Sequence, residues 1–394
     1  METQLQSSQQ TKSAEIAASI DYLLTEILLR LPIKSVIRFK LVSKHWFHLI
    51  SDPSFCQLLN PNRNPAVGLF LQLSTANFGE DHQYNGYEFV PFHPNKSTEF
   101  IKDHLPSGVR ILQSCNGLML CCSLITANNG PEYFVYNPTT KKLSILPKPD
   151  QTNGISETIR GINLAFEPVK AFHYKIVSVR SLESDSSFKI IVYSSETHSW
   201  QEQSHPFTSA ASFDKGVYWN GAIHWMDTVG NAESLYFNVA TKALRNTPSL
   251  PLTYTTRCKR DNYFGESCDH LHFIDMRGPR VKLVVYELER DYSGWFMKYQ
   301  VDLSAVVVAN PTMALRRGNP MFWCGFVFEV SAVIRGEEDE DSFLVLQIPG
   351  KMVRFNIVHK TFEDLVDFDG RVVWSSLKFP NVGGFQYIQS ICCV

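Results

Sequence analysis

The 394-residue sequence contains no run of eighteen apolar residues, so it offers no membrane-spanning helix. Its opening stretch, METQLQSSQQTKS, lacks the apolar core of a secretory signal. The nine cysteines are an odd number, with adjacent pairs at Cys121-Cys122 and Cys392-Cys393, and their spacing fits no secreted disulfide framework. These absences point to a reducing compartment, cytoplasm or nucleus. A formal charge of −2 gives no general electrostatic grip on nucleic acid. G-x-S-x-G, the P-loop and G-x-G-x-x-G are all missing, and with them the usual cues for an acyl enzyme, a phosphate cradle or a dinucleotide site. No cofactor is implied.

What the sequence does contain is a globular composition, 44% hydrophobic and 19% charged, with 12% aromatics that favour β-structure. Residues 1–18 are Gln- and Ser-rich and read as a flexible tail. From Ile20 to Leu59 the pattern is helical. Leu23, Leu24, Ile27, Leu28 and Leu31 form one apolar stripe, with Asp21 placed to cap it and Pro32 to stop it. Val36, Phe39 and Val42 lie along a second short helix. Ser43 reads as the N-cap of a third, carrying Trp46, Phe47, Leu49 and Ile50, and Asp52-Pro53 starts a fourth. Helices this short are unstable alone, and forty residues cannot cover so much apolar surface. The stripe must therefore meet either a partner or the rest of this chain.

Residues 61–66 read as a short linker, after which the helical period fades. Asn116-Gly117 and Asn220-Gly221 mark tight hairpins, the second within GVYWNGAIHW (Gly216–Trp225). One unit recurs: YFVYNPTTKKL, IIVYSSETHSW, SLYFNVATKAL and MVRFNIVHKTF. In each, a β-rich run ends in an aromatic (Tyr136, Tyr193, Phe237, Phe355), and an apolar or aromatic residue follows seven positions later. Tyr286 belongs to a looser copy with an insertion, KLVVYELERDYSGW. These aromatics lie about 44–69 residues apart, near the period of propeller blades with loops. Such hairpins cannot bury both faces singly, so copies should pack radially and close on themselves. Five copies are visible, and Val67–Leu73, or the region Phe322–Val330, is available for a sixth, with an incomplete ring as the alternative.

Three further groups invite a chemical reading. Cys258, Cys268, His270 and His272 are zinc-ligand types, but the long gap between the cysteines argues for a loop cysteine and strand histidines. Cys115 has no identifiable base, and a nucleophile needs one. Glu337–Asp341, five acids in a row, reads as a solvated loop between strands.

The stretch holding Leu23-Leu24, Glu26-Ile27-Leu28, Arg30-Leu31-Pro32, Lys34-Ser35-Val36, Arg38-Phe39, Val42-Ser43-Lys44, Trp46, Leu49-Ile50 and Asp52-Pro53-Ser54-Phe55 resembles a plant-type F-box, assigned to residues 19–60. It departs at its start, where Ser19-Ile20 stands in place of the usual Leu-Pro. SCNGLMLCCS, YFVYNPTTKKLSILP and GVYWNGAIHWM are similar to the F-box-associated domain, a kelch-like β fold, here spanning 67–394. The resemblance implies a multidomain α plus all-β chain: a small helical F-box followed by a kelch-like β-propeller. It further implies a non-catalytic, substrate-recognition subunit of an SCF-type cullin–RING ubiquitin ligase. The F-box would bind the ligase adaptor subunit directly, and the cullin–RING core through it. The anchors would be Leu24, Ile27, Leu28, Leu31, Pro32, Val36, Phe39, Val42 and Trp46. Lys34, Arg38, Lys40, Lys44, His45 and His48 would steer toward an acidic adaptor. The β domain would recruit a target protein that the sequence does not name. A scaffold that competes for the adaptor, and an enzyme sited on the β domain, stay open as alternatives.

Overall fold

A computed structural model describes residues 20–59, 66–74, 84–93, 105–106, 108–124, 130–149, 157–170, 172–182, 187–202, 206–226, 233–251, 262–276, 281–314, 326–368, 384–392 and 394. The tail at 1–18 and all of the linker but Ala66 fall outside these residues. Among the described residues no helix is long and apolar enough to cross a membrane.

Four short helices come first: α1 (Asp21–Leu29), α2 (Ile33–Phe39), α3 (Lys44–Ser51) and α4 (Pro53–Leu59). Their punctuation follows the sequence closely. The Ser43 side chain accepts from the Trp46 N–H at 3.2 Å, and Asp52 Oδ1 accepts from the Ser54 N–H at 2.7 Å ahead of Pro53. One cap differs. Asp21 is the first helical residue rather than the residue before it, and it pairs with His45 at 3.0 Å, tying α1 to α3. Phe39 meets Trp46 edge to face at 5.2 Å, which braces α2 against α3.

The rest is a six-bladed propeller. Blade 1 is β3–β6 (Val109–Cys115, Leu118–Ser123, Tyr133–Asn137, Lys142–Ile145). Blade 2 is β7–β10 (Glu157–Ala165, Lys175–Leu182, Phe188–Ser194, Ser199–Glu202). Blade 3 is β11–β14 (Val217–Trp219, Ala222–Trp225, Leu235–Asn238, Leu244–Asn246). Blade 4 is β15–β18 (Tyr263–Ser267, His270–Ile274, Lys282–Leu288, Trp295–Asp302) and is followed by α5 (Ser304–Ala309). Blade 5 is β19–β22 (Glu329–Ile334, Phe343–Ile348, Lys351–Asn356, Phe362–Asp367). Blade 6 combines both ends of the propeller sequence: β1 (Gly68–Ser74) lies between β2 (Tyr84–Pro91) and β23 (Gly384–Tyr387). The first strand of each blade neighbours the next around the axis, with β23 between β19 and β3, so the ring is closed.

The repeat now has a geometric cause. Tyr136 pairs with Leu143, Tyr193 with Trp200, Phe237 with Leu244 and Phe355 with Phe362, each across the third and fourth strands of a blade. A spacing of seven is what a constant turn imposes on directly opposed residues. In the looser copy Tyr286 faces Met297, because the loop at Asp291–Gly294 is longer. The tight turns behave as the sequence implies, with Asn116 at φ 47°, Gly117 at φ 91°, Asn220 at φ 49° and Gly221 at φ 79°.

Polar bridges cross the seams between blades. Gln113 both donates to the Leu164 carbonyl (3.0 Å) and accepts from its N–H (2.7 Å). Trp225 Nε1 donates to Asn163 Oδ1 at 2.9 Å, Trp219 Nε1 to the Asp269 carbonyl at 2.8 Å, and the Arg335 N–H to Ser267 Oγ at 3.0 Å. Ser114 Oγ donates to the Gln386 carbonyl, closing the ring at blade 6. Each bridge satisfies a group that burial would otherwise leave unpaired.

Candidate functional site

The helical module is the first candidate. Its apolar residues divide between two faces. Leu24, Leu28, Val36, Ile50, Phe55 and Cys56 are buried. They belong to one continuous apolar cluster with Leu118, Val135, Phe166 and Tyr193 of blades 1 and 2 and with Ile391 and Cys392 near the C-terminus. Leu31, Phe39 and Trp46 are partly buried and pack against that cluster. Pro32 is exposed, Ile27 keeps 51% of its surface and Val42 keeps 57%. Of the nine residues expected to bind the adaptor, the structure thus places three in the shared core, three at its margin and three in solvent. Six large apolar residues outside that set are also exposed among the described residues of this module: Ile20, Tyr22, Leu23, Leu41, Phe47 and Leu58. Leu23 and Phe47 were apolar members of the helical pattern, whereas Tyr22 lies beside the stripe and Leu41 beyond the end of α2. Thr25, which the stripe leaves on the far side, is half-buried.

The basic side chains lie with the exposed set: Lys34, Arg38, Lys44, His45 and His48 are all exposed, and Lys40 is half-buried. Lys40 lies close enough to Cys392 to act on its charge.

The C-terminal segment is the seat on which this module rests. Asn137 is fully buried. Its Nδ2 donates to the carbonyls of Ser390 (3.0 Å) and Cys392 (2.8 Å), while its Oδ1 accepts from the N–H groups of Thr139 and Thr140. Thr139 Oγ1 contacts the Tyr387 hydroxyl at 2.9 Å and accepts from the Ser390 N–H at 3.1 Å. The Asn-Pro-Thr-Thr turn of blade 1 therefore holds the segment that lies against the helices.

The second candidate is the polar group in blade 4. His272 is completely buried on β16, with Nε2 3.5 Å from Glu287, and His270 Nδ1 lies 2.6 Å from the same carboxylate. Burial outweighs that carboxylate and holds the His272 imidazole below its usual range. Glu287 is pushed up by burial but down further by the two histidines, and ends far below the ordinary carboxylate range. The Cys268 thiol donates to the Arg335 carbonyl at 3.4 Å. Cys258, the fourth residue of the zinc pattern, lies outside the described residues. Cys115 donates its thiol to the Phe166 carbonyl at 3.4 Å. The acidic run sits between β19 and β20, where Asp339 pairs with Arg335 at 2.8 Å and Lys298 at 3.2 Å. The Cys268–Arg335 and Lys298–Asp339 contacts join blades 4 and 5, the Cys115 contact joins blades 1 and 2, and the two histidines and Glu287 pair within blade 4.

A four-helix module seated on a closed six-bladed propeller defines a two-part recognition protein. Residues 21–58 match the F-box domain family, and residues 72–265 match the F-box associated beta propeller domain family. An F-box protein of Arabidopsis thaliana is 32% identical over 98% of this chain and 94% of its own length. A second F-box protein from that plant is 30% identical over 52% of this chain and 57% of its own. An Arabidopsis F-box/kelch-repeat protein is 24% identical over 70% of this chain and 74% of its own. The chain belongs to the plant F-box protein family. This pairing of domains implies a substrate-recognition adaptor role in an SCF-type ligase.

Proposed function

We propose that the exposed half of the F-box docks on the adaptor subunit of an SCF-type cullin–RING ligase, in the cytoplasm or nucleus, and that the propeller holds a target protein for ubiquitination. The observation that carries this reading is the divided surface of the helices. Leu24, Leu28 and Val36 are committed to the shared core, yet Ile27, Val42, Tyr22, Leu23, Leu41 and Phe47 stay in solvent. An exposed apolar face of this kind on a small module marks a protein contact. Helix-in-groove burial would supply the energy, with Leu31, Pro32, Phe39 and Trp46 at the margin of the contact. The buried anchors would set the angle of the helices rather than touch the adaptor. The chain's contribution to catalysis is proximity: it raises the effective concentration of substrate lysines at the charged enzyme. No residue of this chain need form a covalent bond to substrate.

The test is capture of recombinant plant adaptor and cullin by the full chain, beside an Ile27→Asp/Val42→Asp variant checked by circular dichroism. Wild type should bring down both partners. The folded variant should lose at least ~10-fold in adaptor affinity, since truncated hot spots cost about 2 kcal/mol or more each. Equal capture by both proteins refutes the assigned face. Capture of adaptor without cullin refutes the ligase role and leaves a scaffold.

A further inference from the structure

The exposed face of the F-box carries a serine in an unusual charge setting. Between α2 and α3 the chain turns through residues 40–43 outside either helix. Leu41 keeps 88% of its surface and Val42 57%, and Ser43 is exposed beside them. Arg38 and Lys40 stand five and three residues before that serine, and Lys44 follows it. Arg38 and Lys44 are exposed and Lys40 is half-buried. Ser43 Oγ accepts from the Trp46 N–H at 3.2 Å. That bond uses an oxygen lone pair, and the hydroxyl proton takes no part in it.

Basic side chains a few residues ahead of a serine match the acidic groove of one class of serine kinase, by the same charge pairing that selects partners elsewhere. The acceptor must also leave its own surface to enter that groove, which an exposed turn between two short helices permits and a paired strand resists. Two other described serines follow basic residues. Ser144 comes after Lys141 and Lys142, but it is half-buried and paired with Val135 within β6. Ser293 comes three residues after Arg290, but Asp269 holds that arginine.

We propose that Ser43 is a phosphorylation site for a serine kinase that selects basic residues ahead of its acceptor, and that the phosphate releases the F-box from its adaptor. Ser43 Oγ attacks the γ-phosphorus of ATP. The bond from that phosphorus to the β–γ bridging oxygen breaks, ADP departs, and the hydroxyl proton passes to the kinase's base. The new group carries about −1.5 to −2 charge at pH 7. It would stand between Val42 and Lys44, among the side chains of Lys34, Arg38, Lys44, His45 and His48 that make this face basic. Docking then suffers twice: the steering charge is largely cancelled, and a dianion must shed water against an apolar groove. The helix is spared, because phosphate oxygens can accept the same Trp46 N–H and negative charge suits the N-terminal end of α3. The regulation rests on the adaptor-docking reading above; the phosphate site does not.

The experiment incubates the purified full chain with ATP and the catalytic subunit of cAMP-dependent protein kinase, a basic-directed enzyme, and maps the phosphopeptide by mass spectrometry. Capture of recombinant plant adaptor is then compared for untreated, phosphorylated and phosphatase-treated protein. The expected result is a phosphate on Ser43 and a loss of adaptor affinity of ~10-fold or more, restored by phosphatase, with no fall in melting temperature. Saturating adaptor added beforehand should slow the modification, since both need the same turn. Ser43→Asn keeps a capping side chain but no acceptor hydroxyl, so the kinase should leave its adaptor capture unchanged. Absence of phosphate from Ser43 in the folded chain overturns the site, and phosphate there with undiminished capture overturns the regulation. An untreated chain that captures no adaptor overturns the docking reading and the regulation with it, and the phosphopeptide map alone then decides the site.

Discussion

Replacing Asn137 by Ala should separate the cost of a turn from the cost of losing the C-terminal seat. Asn137, Asn238 and Asn356 occupy the same place in blades 1, 3 and 5, and each Oδ1 accepts two N–H groups of the turn that follows. Asn238 is half-buried. Asn137 is fully buried, and its Nδ2 also satisfies the Ser390 and Cys392 carbonyls. Loss of the turn bonds alone should cost about 1 kcal/mol, the value expected for Asn238→Ala. Each buried carbonyl left without a donor adds roughly 1–3 kcal/mol, so Asn137→Ala should cost about 3–7 kcal/mol in all. Urea unfolding of the two variants beside wild type measures the difference directly. Limited proteolysis at low urea should also cut Asn137→Ala within the F-box before the blades, because the seat beneath the helices is loosened. If the two variants lose the same stability within about 1 kcal/mol, the clamp on the C-terminal segment does not have the strength argued here.

Two other perturbations test the same structure. A Cβ on Gly117 would lie 2.4 Å from Ser390 Cβ and 2.9 Å from the Ile388 carbonyl, whereas one on Gly221 meets open space; both glycines have positive φ. Gly221→Ala should therefore cost only the backbone strain, about 1 kcal/mol, and Gly117→Ala at least ~2 kcal/mol more, read as a lower melting temperature. His224 stacks with Tyr236 and Tyr292, its Nε2 3.0 Å from the Tyr292 hydroxyl, and burial brings its pKa down to about 4 against the upward pull of the Val217 and Ala222 backbone. The unfolded chain takes up this proton first, near pH 6.5, so the stabilisation is complete above that pH and is lost as pH falls toward 4, by roughly 3 kcal/mol in total. Urea unfolding at pH 7 and 4.5 should show a larger loss for wild type than for His224→Phe by about 2 kcal/mol; parallel losses would refute the assignment.

The repeating hairpins were legible because their constraint is local. A fixed turn places residues seven apart opposite each other, and Tyr136 with Leu143 or Phe355 with Phe362 carries that register in the sequence itself. The helix stops and starts at Pro32, Ser43 and Asp52-Pro53 were legible for the same reason. That the ring closes was expected, but not which strands close it, because closure pairs Gly68 with Tyr387 and no local pattern reports a partner so remote. The F-box stripe shows the limit of periodicity. Spacing marks Leu24, Ile27, Leu28 and Leu31 as apolar, but not that Leu24 and Leu28 turn toward the blades while Ile27 turns away. Asn137 looked like any turn residue; its burial depends on a segment some 250 positions later.

The shared sixth blade also sets an order of events during synthesis. β1 and β2 leave the ribosome soon after the F-box, but β1 receives its inner neighbour only when β23 has been made, about three hundred residues later. At about 5–20 residues per second that is roughly 15–60 s in which the edge of β1 has no strand to pair with and the F-box has no C-terminal segment to rest on. An unpaired strand edge and an apolar helix face, both open at once, are the features that chaperones bind and that drive misassembly. The nascent chain should therefore depend on chaperones most heavily before β23 and the segment that follows it are made.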